Sequence, residues 1–226
     1  MKNNKKFRAA IFDLDGLMLD TESISHQAWK KAMADFGFIL PDDLYHKIIG
    51  LVIDDIQVIF NEAFGTNFPL QKIYKQRFHY IDEYIKQHGI GIKPGLLELL
   101  DLLDSVDLPK AVATSSTEKC AMRKLDATGL AQRFQVILCG DNVPRGKPAP
   151  DIFLITAGKL NVPPDACLVF EDSDNGLIAS HRAGMTTILV PDTKQPSPDI
   201  APFAFKIFPS LSDAVPFLQN LLNIDK

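Results

Sequence analysis

Cysteine is scarce in this chain of 226 residues: Cys120, Cys139 and Cys167 are widely spaced and form no C-x-x-C pair. That argues against a disulfide scaffold and a cysteine zinc site, and suits a reducing compartment, so a cytoplasmic location is expected. Long apolar runs are missing as well. None approaches the stretch of about 18 residues that a membrane helix needs, and the start of the chain carries Lys and Asn instead of a secretory apolar core, so no membrane partner is expected. Positive charge is not in excess either. There are 24 basic and 28 acidic residues, giving a net charge of -4. The basic residues gather only at Lys2, Lys5, Lys6 and Arg8, a solvated N-terminal end, which argues against nucleic acid as a partner. His46, His79, His88 and His181 have no metal-ligand spacing and read as surface or packing residues. The single tryptophan, Trp29, sits near Ala28 and Met33 and reads as core.

What remains is a hydrophobic fraction of 46%, enough for a substantial interior. Strand-like apolar runs recur at 9–12, 110–113, 135–138, 167–170 and 187–190. Stretches of helical length lie between the later ones at 117–128, 151–160 and 175–183, and an amphipathic segment follows at 211–222. This alternation predicts βαβ units: a Rossmann-like, doubly wound parallel sheet in the α/β class, with helices on both faces and right-handed crossovers. One interval breaks the rhythm. Residues 22–36, 42–49, 54–64 and 70–87 carry helix-period apolar positions, interrupted by Gly37, Pro41, Gly50, Gly65, Pro69 and Gly89. Two domains are therefore expected: an α/β core of 1–20 plus 90–226, and an inserted helical module of 21–89. Lys93-Pro94-Gly95 marks re-entry into the core, and the stretch 191–202, with four prolines, reads as a loop.

The strand ends carry the chemistry. The run Phe7-Arg8-Ala9-Ala10-Ile11-Phe12 stops at Asp13, Leu14, Asp15 and Gly16. A buried strand ending in carboxylates delivers charge to the sheet edge where ligands bind in open α/β folds. In extended geometry the two acids would point to opposite faces, so the chain must turn, which Gly16 permits. The second run ends in Thr114-Ser115-Ser116, hydroxyls at a helix start that can cap the helix or accompany an anion held by free amides. The third leads to Arg145-Gly146-Lys147-Pro148-Ala149-Pro150, a stiff loop presenting Lys147 as a fixed charge for a phosphate or carboxylate. The fourth delivers Glu171-Asp172-Ser173, followed by Gly176 at another helix start. Parallel strands bring all four ends to one edge. Four carboxylates crowded there repel unless a hard cation such as Mg²⁺ joins them through oxygen ligands. With a lysine, a hydroxyl and helix amides beside it, the set reads as a phosphoryl-transfer site.

In order and spacing these elements resemble the haloacid dehalogenase-like phosphohydrolase superfamily over the whole chain. The strings Phe12-Asp13-Leu14-Asp15-Gly16-Leu17, Gly146-Lys147-Pro148-Ala149-Pro150-Asp151 and Glu171-Asp172-Ser173-x-x-Gly176 are similar to its motifs, as is Thr114. The helical module resembles the cap of the branch containing β-phosphoglucomutases, hexose-phosphate phosphatases and phosphoglycolate phosphatases. The resemblance implies that Asp13 attacks phosphorus to form an aspartyl-phosphate and that Asp15 serves as general acid and base. It implies Mg²⁺ held by a carboxylate oxygen of Asp13, the backbone carbonyl of Asp15 and a carboxylate of Asp172, with Glu171 beside the metal and oriented through water. Thr114, the Ser115 amide and Lys147 would hold the phosphoryl oxygens.

Within that branch the mutases carry a His where Ser25 stands here, with His26 one residue later. They also carry an Arg three residues after the cap glycine; after Gly50 that position is Ile53. Loss of both anchors points to a phosphatase acting on a small phosphorylated metabolite, a sugar phosphate, as a monomer. The alternative is a β-phosphoglucomutase-like mutase in which His26, Lys30 or Lys47 substitutes for the anchors; a phospho-receiver or binding protein is more remote. Ser25, His26, Gly50 and Ile53 are the candidate specificity positions. Around Gly50, the residues Ile49, Leu51, Val52 and Ile53 carry no charge that would declare a ligand.

Overall fold

The structure, a computed structural model, describes residues 7–49, 51 and 53–222; Lys2, Lys5, Lys6, Gly50 and Val52 lie outside the described residues. The chain divides into two compact units, Thr21–Gly89 and the combination of Met1–Asp20 with Ile90–Lys226.

The contiguous unit is helical: α1 (Glu22–Asp35), α2 (Asp42–Ile48), α3 (Ile53–Phe64) and α4 (Leu70–His88). Its helices stop where the backbone turns left-handed at Gly37 (φ 80°) and Gly65 (φ 93°), conformations that residues with a β-carbon avoid. Trp29 is 3% exposed and meets Phe60 edge-on at 5.5 Å, while Phe60, Phe64 and Phe68 pack ring against ring at 5.0–5.8 Å. These rings, with Met33 and Ile73, form a core of the unit's own.

The second unit is a six-stranded parallel sheet: β1 (Ala9–Phe12), β2 (Lys110–Ala113), β3 (Val136–Leu138), β4 (Cys167–Glu171), β5 (Thr186–Leu189) and β6 (Lys206–Ile207). Their order is β3-β2-β1-β4-β5-β6, the doubly wound arrangement. Ala10 is in register with Lys110 on one side and Leu168 on the other, so the order reverses at β1. Period-two alternation divides the core. Ala10, Phe12, Val112, Leu168 and Phe170 point to the face covered by α5 (Leu96–Asp104), α6 (Glu118–Thr128) and α9 (Leu211–Leu221). Ala9, Ile11, Ala113 and Val169 point to the face covered by α7 (Asp151–Lys159) and α8 (Asp174–Arg182).

The strands differ in detail from the sequence reading, and β5 covers Thr186–Leu189 where 187–190 was expected. β3 starts at Val136; just before it, the Gln135 side chain accepts from the Lys110 amide at 2.6 Å and the Gln135 amide donates to the Lys110 carbonyl at 2.9 Å. β6 was not anticipated: it is two exposed residues, Lys206 and Ile207, in a short apolar stretch, held by backbone bonds from Phe205 to Thr187 and from Phe208 to Leu189. Cys139 and Cys167 are free and buried, and burial pushes both thiols up to about 11. Among the described residues no helix is long and apolar enough to cross a membrane.

Candidate active site

The site grows from the C-terminal ends of β1, β2 and β4. The Asp13 amide still donates to the Phe170 carbonyl at 3.0 Å, so Asp13 sits on the last rung between β1 and β4. The chain then turns sharply at Gly16 (φ 85°), whose amide donates to the Leu19 carbonyl at 3.0 Å. This turn keeps the Asp13 side chain at the sheet edge, where it is 7% exposed.

Lys147, reaching in from the loop after β3, is equally buried. Its Nζ donates to Asp13 Oδ1 at 2.5 Å, to Glu171 Oε1 at 2.5 Å and to the Ala113 carbonyl at 3.0 Å. One ammonium therefore ties the ends of three strands together. Glu171 is fully buried, and its other oxygen accepts from the amides of Asp172 (2.9 Å) and Ser173 (3.1 Å) and from the Ser173 hydroxyl (3.1 Å). A β-carbon at Gly176 would fall 1.8 Å from Glu171 Oε1, so glycine alone leaves room for this carboxylate at the start of α8. Glu171 thus has protein donors on both oxygens.

Asp15 is held by the Ser116 hydroxyl and by Lys124, which the sequence reading did not single out. Lys124 Nζ lies 2.5 Å from Asp15 Oδ1, and the Ser116 hydroxyl donates to Oδ2 at 2.6 Å. Lys124 also reaches Ser116 Oγ at 3.2 Å, closing a triangle. Lys124 shares the buried stripe of α6 with Ala121 and Leu125. A lysine at i, i+3, i+4 spacing within an apolar stripe is the signal that could have found it, because a buried ammonium requires a partner. Thr114 is buried at the end of β2 and its Oγ1 accepts from the Ser116 amide at 3.1 Å, while Ser115 is exposed. A β-carbon at Gly140 would meet the Ser115 carbonyl at 2.4 Å, so this loop is packed tightly on the next strand's exit.

Asp172 follows Glu171 and faces the Gly16 turn: a β-carbon at Gly16 would lie 2.3 Å from its Oδ2. The carboxylates strain against one another. Burial, Glu171 and Asp15 raise Asp13 to about 7 despite Lys147. Burial together with Glu171, Asp13 and Asp192 holds Asp172 well above the usual carboxylate range. Burial works against the Lys147 ammonium, but Asp13 and Glu171 outweigh it and keep it above its ordinary value. Such a surplus of buried acid suits a divalent cation. Among the described residues no group of three or more His, Cys, Asp or Glu side chains is placed to hold a metal ion by itself.

The remaining candidates belong to the helical unit. Ser25 is buried on α1 and accepts from Arg77 Nη2 at 2.8 Å and from the Tyr45 hydroxyl at 3.3 Å. Tyr45 also donates to the Glu22 carboxylate; burial first, then Glu22, raises its phenol. Glu22, Ser25, Trp29, Tyr45, Tyr74 and Arg77 line a cavity of about 100 Å³. His26 stacks on Tyr45 at 4.1 Å, with Nε2 3.1 Å from Asp42, and burial and Lys30 lower its imidazole. Ile53 is half-buried at the start of α3, and Gly50 lies outside the described residues. Arg77 was not anticipated; its signal is a cation one turn after Ile73 on the buried side of α4.

A family model described as haloacid dehalogenase-like hydrolase matches residues 10–190. The chain is similar to the phosphorylated carbohydrates phosphatase of Thermotoga maritima, 33% identical over 80% of this chain and 83% of that protein. It is also similar to the fructose-1-phosphate phosphatase YqaB of Escherichia coli, 29% identical over 81% of this chain and 96% of that one. Among solved structures, a hydrolase from Pseudomonas syringae is 27% identical with a TM-score of 0.79, covering 94% of this chain and 98% of its own.

Proposed function

The chain belongs to the haloacid dehalogenase-like hydrolase family, and from that premise we propose that it is a Mg²⁺-dependent phosphatase of sugar phosphates working through an aspartyl-phosphate on Asp13. The observation that carries this reading is the junction of Asp13, Lys147 and Glu171 at 2.5 Å contacts, with Asp172 alongside and Asp15 held separately by Lys124 and Ser116. Asp13 is the oxygen nucleophile. A bond forms from its carboxylate to phosphorus as the bond to the substrate alcohol breaks, and Asp15 gives that alcohol its proton. Asp15 then takes a proton from the water that attacks the aspartyl-phosphate, which releases phosphate and restores Asp13. Lys147, the Thr114 hydroxyl and the Ser115 amide hold the phosphoryl oxygens and the charge that develops on them. A carboxylate oxygen of Asp13, the backbone carbonyl of Asp15 and a carboxylate of Asp172 would hold the cation. When bound, the cation supplies positive charge that lets an anionic phosphate approach a carboxylate.

The helical unit takes the part of the family's cap, with Ser25, His26, Gly50 and Ile53 as specificity positions. Its cavity offers a hydroxyl, a phenol, a carboxylate and a guanidinium, which suits a ligand rich in hydroxyl groups and favours sugar phosphates. The proposal includes a monomer of the cytoplasm with no nucleic-acid or membrane partner. The test is a panel of phosphorylated metabolites with Mg²⁺, followed by β-glucose 1-phosphate with a trace of the 1,6-bisphosphate. Phosphate release that stops in excess EDTA is expected. Rapid glucose 6-phosphate formation with little phosphate would replace hydrolysis by mutase chemistry.

A further inference from the structure

After β5 the chain passes through Val190 and Pro191 to Asp192, whose two carboxylate oxygens have different surroundings. Oδ1 accepts from Lys93 Nζ at 2.5 Å. Oδ2 is buried and has no hydrogen-bond partner among the described residues. A buried carboxylate oxygen without a donor is unfavourable, and native structures rarely leave one so. The Gly16 turn defines where this oxygen faces. A β-carbon built there would lie 2.3 Å from Asp172 Oδ2 and 3.3 Å from Asp192 Oδ2, so the two oxygens converge on one spot. Beside it a cavity of about 170 Å³, lined by Gly16, Leu17, Lys93 and Asp192 among others, has room for ordered water. The Lys93 amide donates to the Met18 carbonyl at 2.9 Å, which anchors the lysine to the segment that follows Asp15 and Gly16.

We propose that Asp192, steered by Lys93, is an outer carboxylate of the metal site, its Oδ2 accepting a hydrogen bond from a water bound to the cation held by Asp13 and Asp172. The inference rests on the metal-dependent reading of the site given above. Fastening Lys93 accounts for Oδ1 only. A water polarised by a dication is a strong donor and supplies what Oδ2 lacks. Asp192 is a positioning residue: it orients the hydration of the metal, and Lys93 both aims it and limits the negative charge it adds. Outer partners of this kind typically change metal affinity by about 10–100-fold.

The test uses the full chain, freed of metal, titrated calorimetrically with Mn²⁺ alone. Asp192→Asn should weaken Mn²⁺ binding by about 10-fold or more while the circular dichroism of the metal-free protein stays that of the parent. Lys93→Met should weaken it less, since it removes a positive charge from the neighbourhood. If D192N proves unstable, Asp192→Ser carries the same measurement. Binding within twofold of the parent in D192N, with binding lost in Asp172→Asn, would overturn the inference and leave Asp192 as a fastening for Lys93. A greater loss in K93M than in D192N would overturn it too. Retained binding in D172N as well would instead remove the metal reading on which the inference stands.

Discussion

Replacing Lys147 by methionine keeps much of the apolar length of the side chain and removes the cation between Asp13 and Glu171. Its Nζ lies 2.5 Å from each carboxylate and 3.0 Å from the Ala113 carbonyl, with the residue 7% exposed. Deleting one partner of a buried ion pair costs about 3–5 kcal/mol, because the charge left behind has neither water nor a counterion. Here two carboxylates are left facing each other, so the upper half of that range applies. Against a typical total of about 5–15 kcal/mol, the variant should be only marginally stable. The deficit has a definite pH dependence. Asp13 is already raised to about 7, and loss of the lysine raises it further. A folded-state carboxyl that holds its proton longer than the unfolded one makes stability fall as pH rises between the two values. The gap between variant and parent should therefore be largest near pH 8 and shrink toward pH 5. Urea unfolding of metal-free protein at both pH values measures it. Circular dichroism must be the probe, since Trp29 belongs to the helical unit. Adding Glu171→Gln to Lys147→Met should restore about 1–2 kcal/mol by removing one orphaned charge. A deficit under about 1 kcal/mol at pH 8, or one that grows toward acid pH, would refute the reasoning.

Gly16→Ala combines a left-handed φ of 85° with a β-carbon 2.3 Å from Asp172 Oδ2, and should lower kcat/KM by about 100-fold or more in a folded protein. Parental kinetics in that variant would show that the turn does not position the site. Because Asp13 and Asp172 both titrate high without metal, cation binding must displace protons. Affinity for Mg²⁺ should fall as pH drops below about 7, and calorimetry in buffers of different ionisation enthalpy should register proton release; an affinity flat from pH 5.5 to 8 would contradict this. Lys124→Met removes the ammonium paired with Asp15 and should lower kcat by about 10-fold or more with little change in metal affinity. The opposite pattern would place Lys124 with the metal and not with proton transfer.

The residues that sequence reasoning could find share a local signature. Asp13 and Glu171 each end an apolar strand, and Lys147 sits in a loop stiffened by two prolines, so strand ends and stiff loops advertise them. Their pairing through a single ammonium was not visible, because it joins positions 134 and 24 residues apart. Lys124 and Arg77 became meaningful only when a helix face was known. Asp192 lay hidden in a proline-rich stretch whose backbone has no period to read, and its importance comes from one orphaned oxygen near Gly16. β6 escaped for the converse reason: its pairing is made by backbone alone, on two residues that face solvent.

The position of β1 also constrains how the chain is made. This strand is made well before its neighbours in the sheet, Lys110–Ala113 and Cys167–Glu171, so Ala10 has to await Lys110 and then Leu168. Until β4 leaves the ribosome, this fully apolar strand has an open edge and Lys147 lacks Glu171, the second of its carboxylate partners. The segment Thr21–Gly89 is contiguous and carries its own aromatic core, so it can condense early on local contacts. Such an order gives fast collapse of the helices and a slow, non-local closure of the sheet. Asp13 is therefore made well before Lys147 and Glu171, the residues that gather around it. A nascent chain halted before residue 167 would expose β1 to aggregation, while its helical segment could already resist proteolysis.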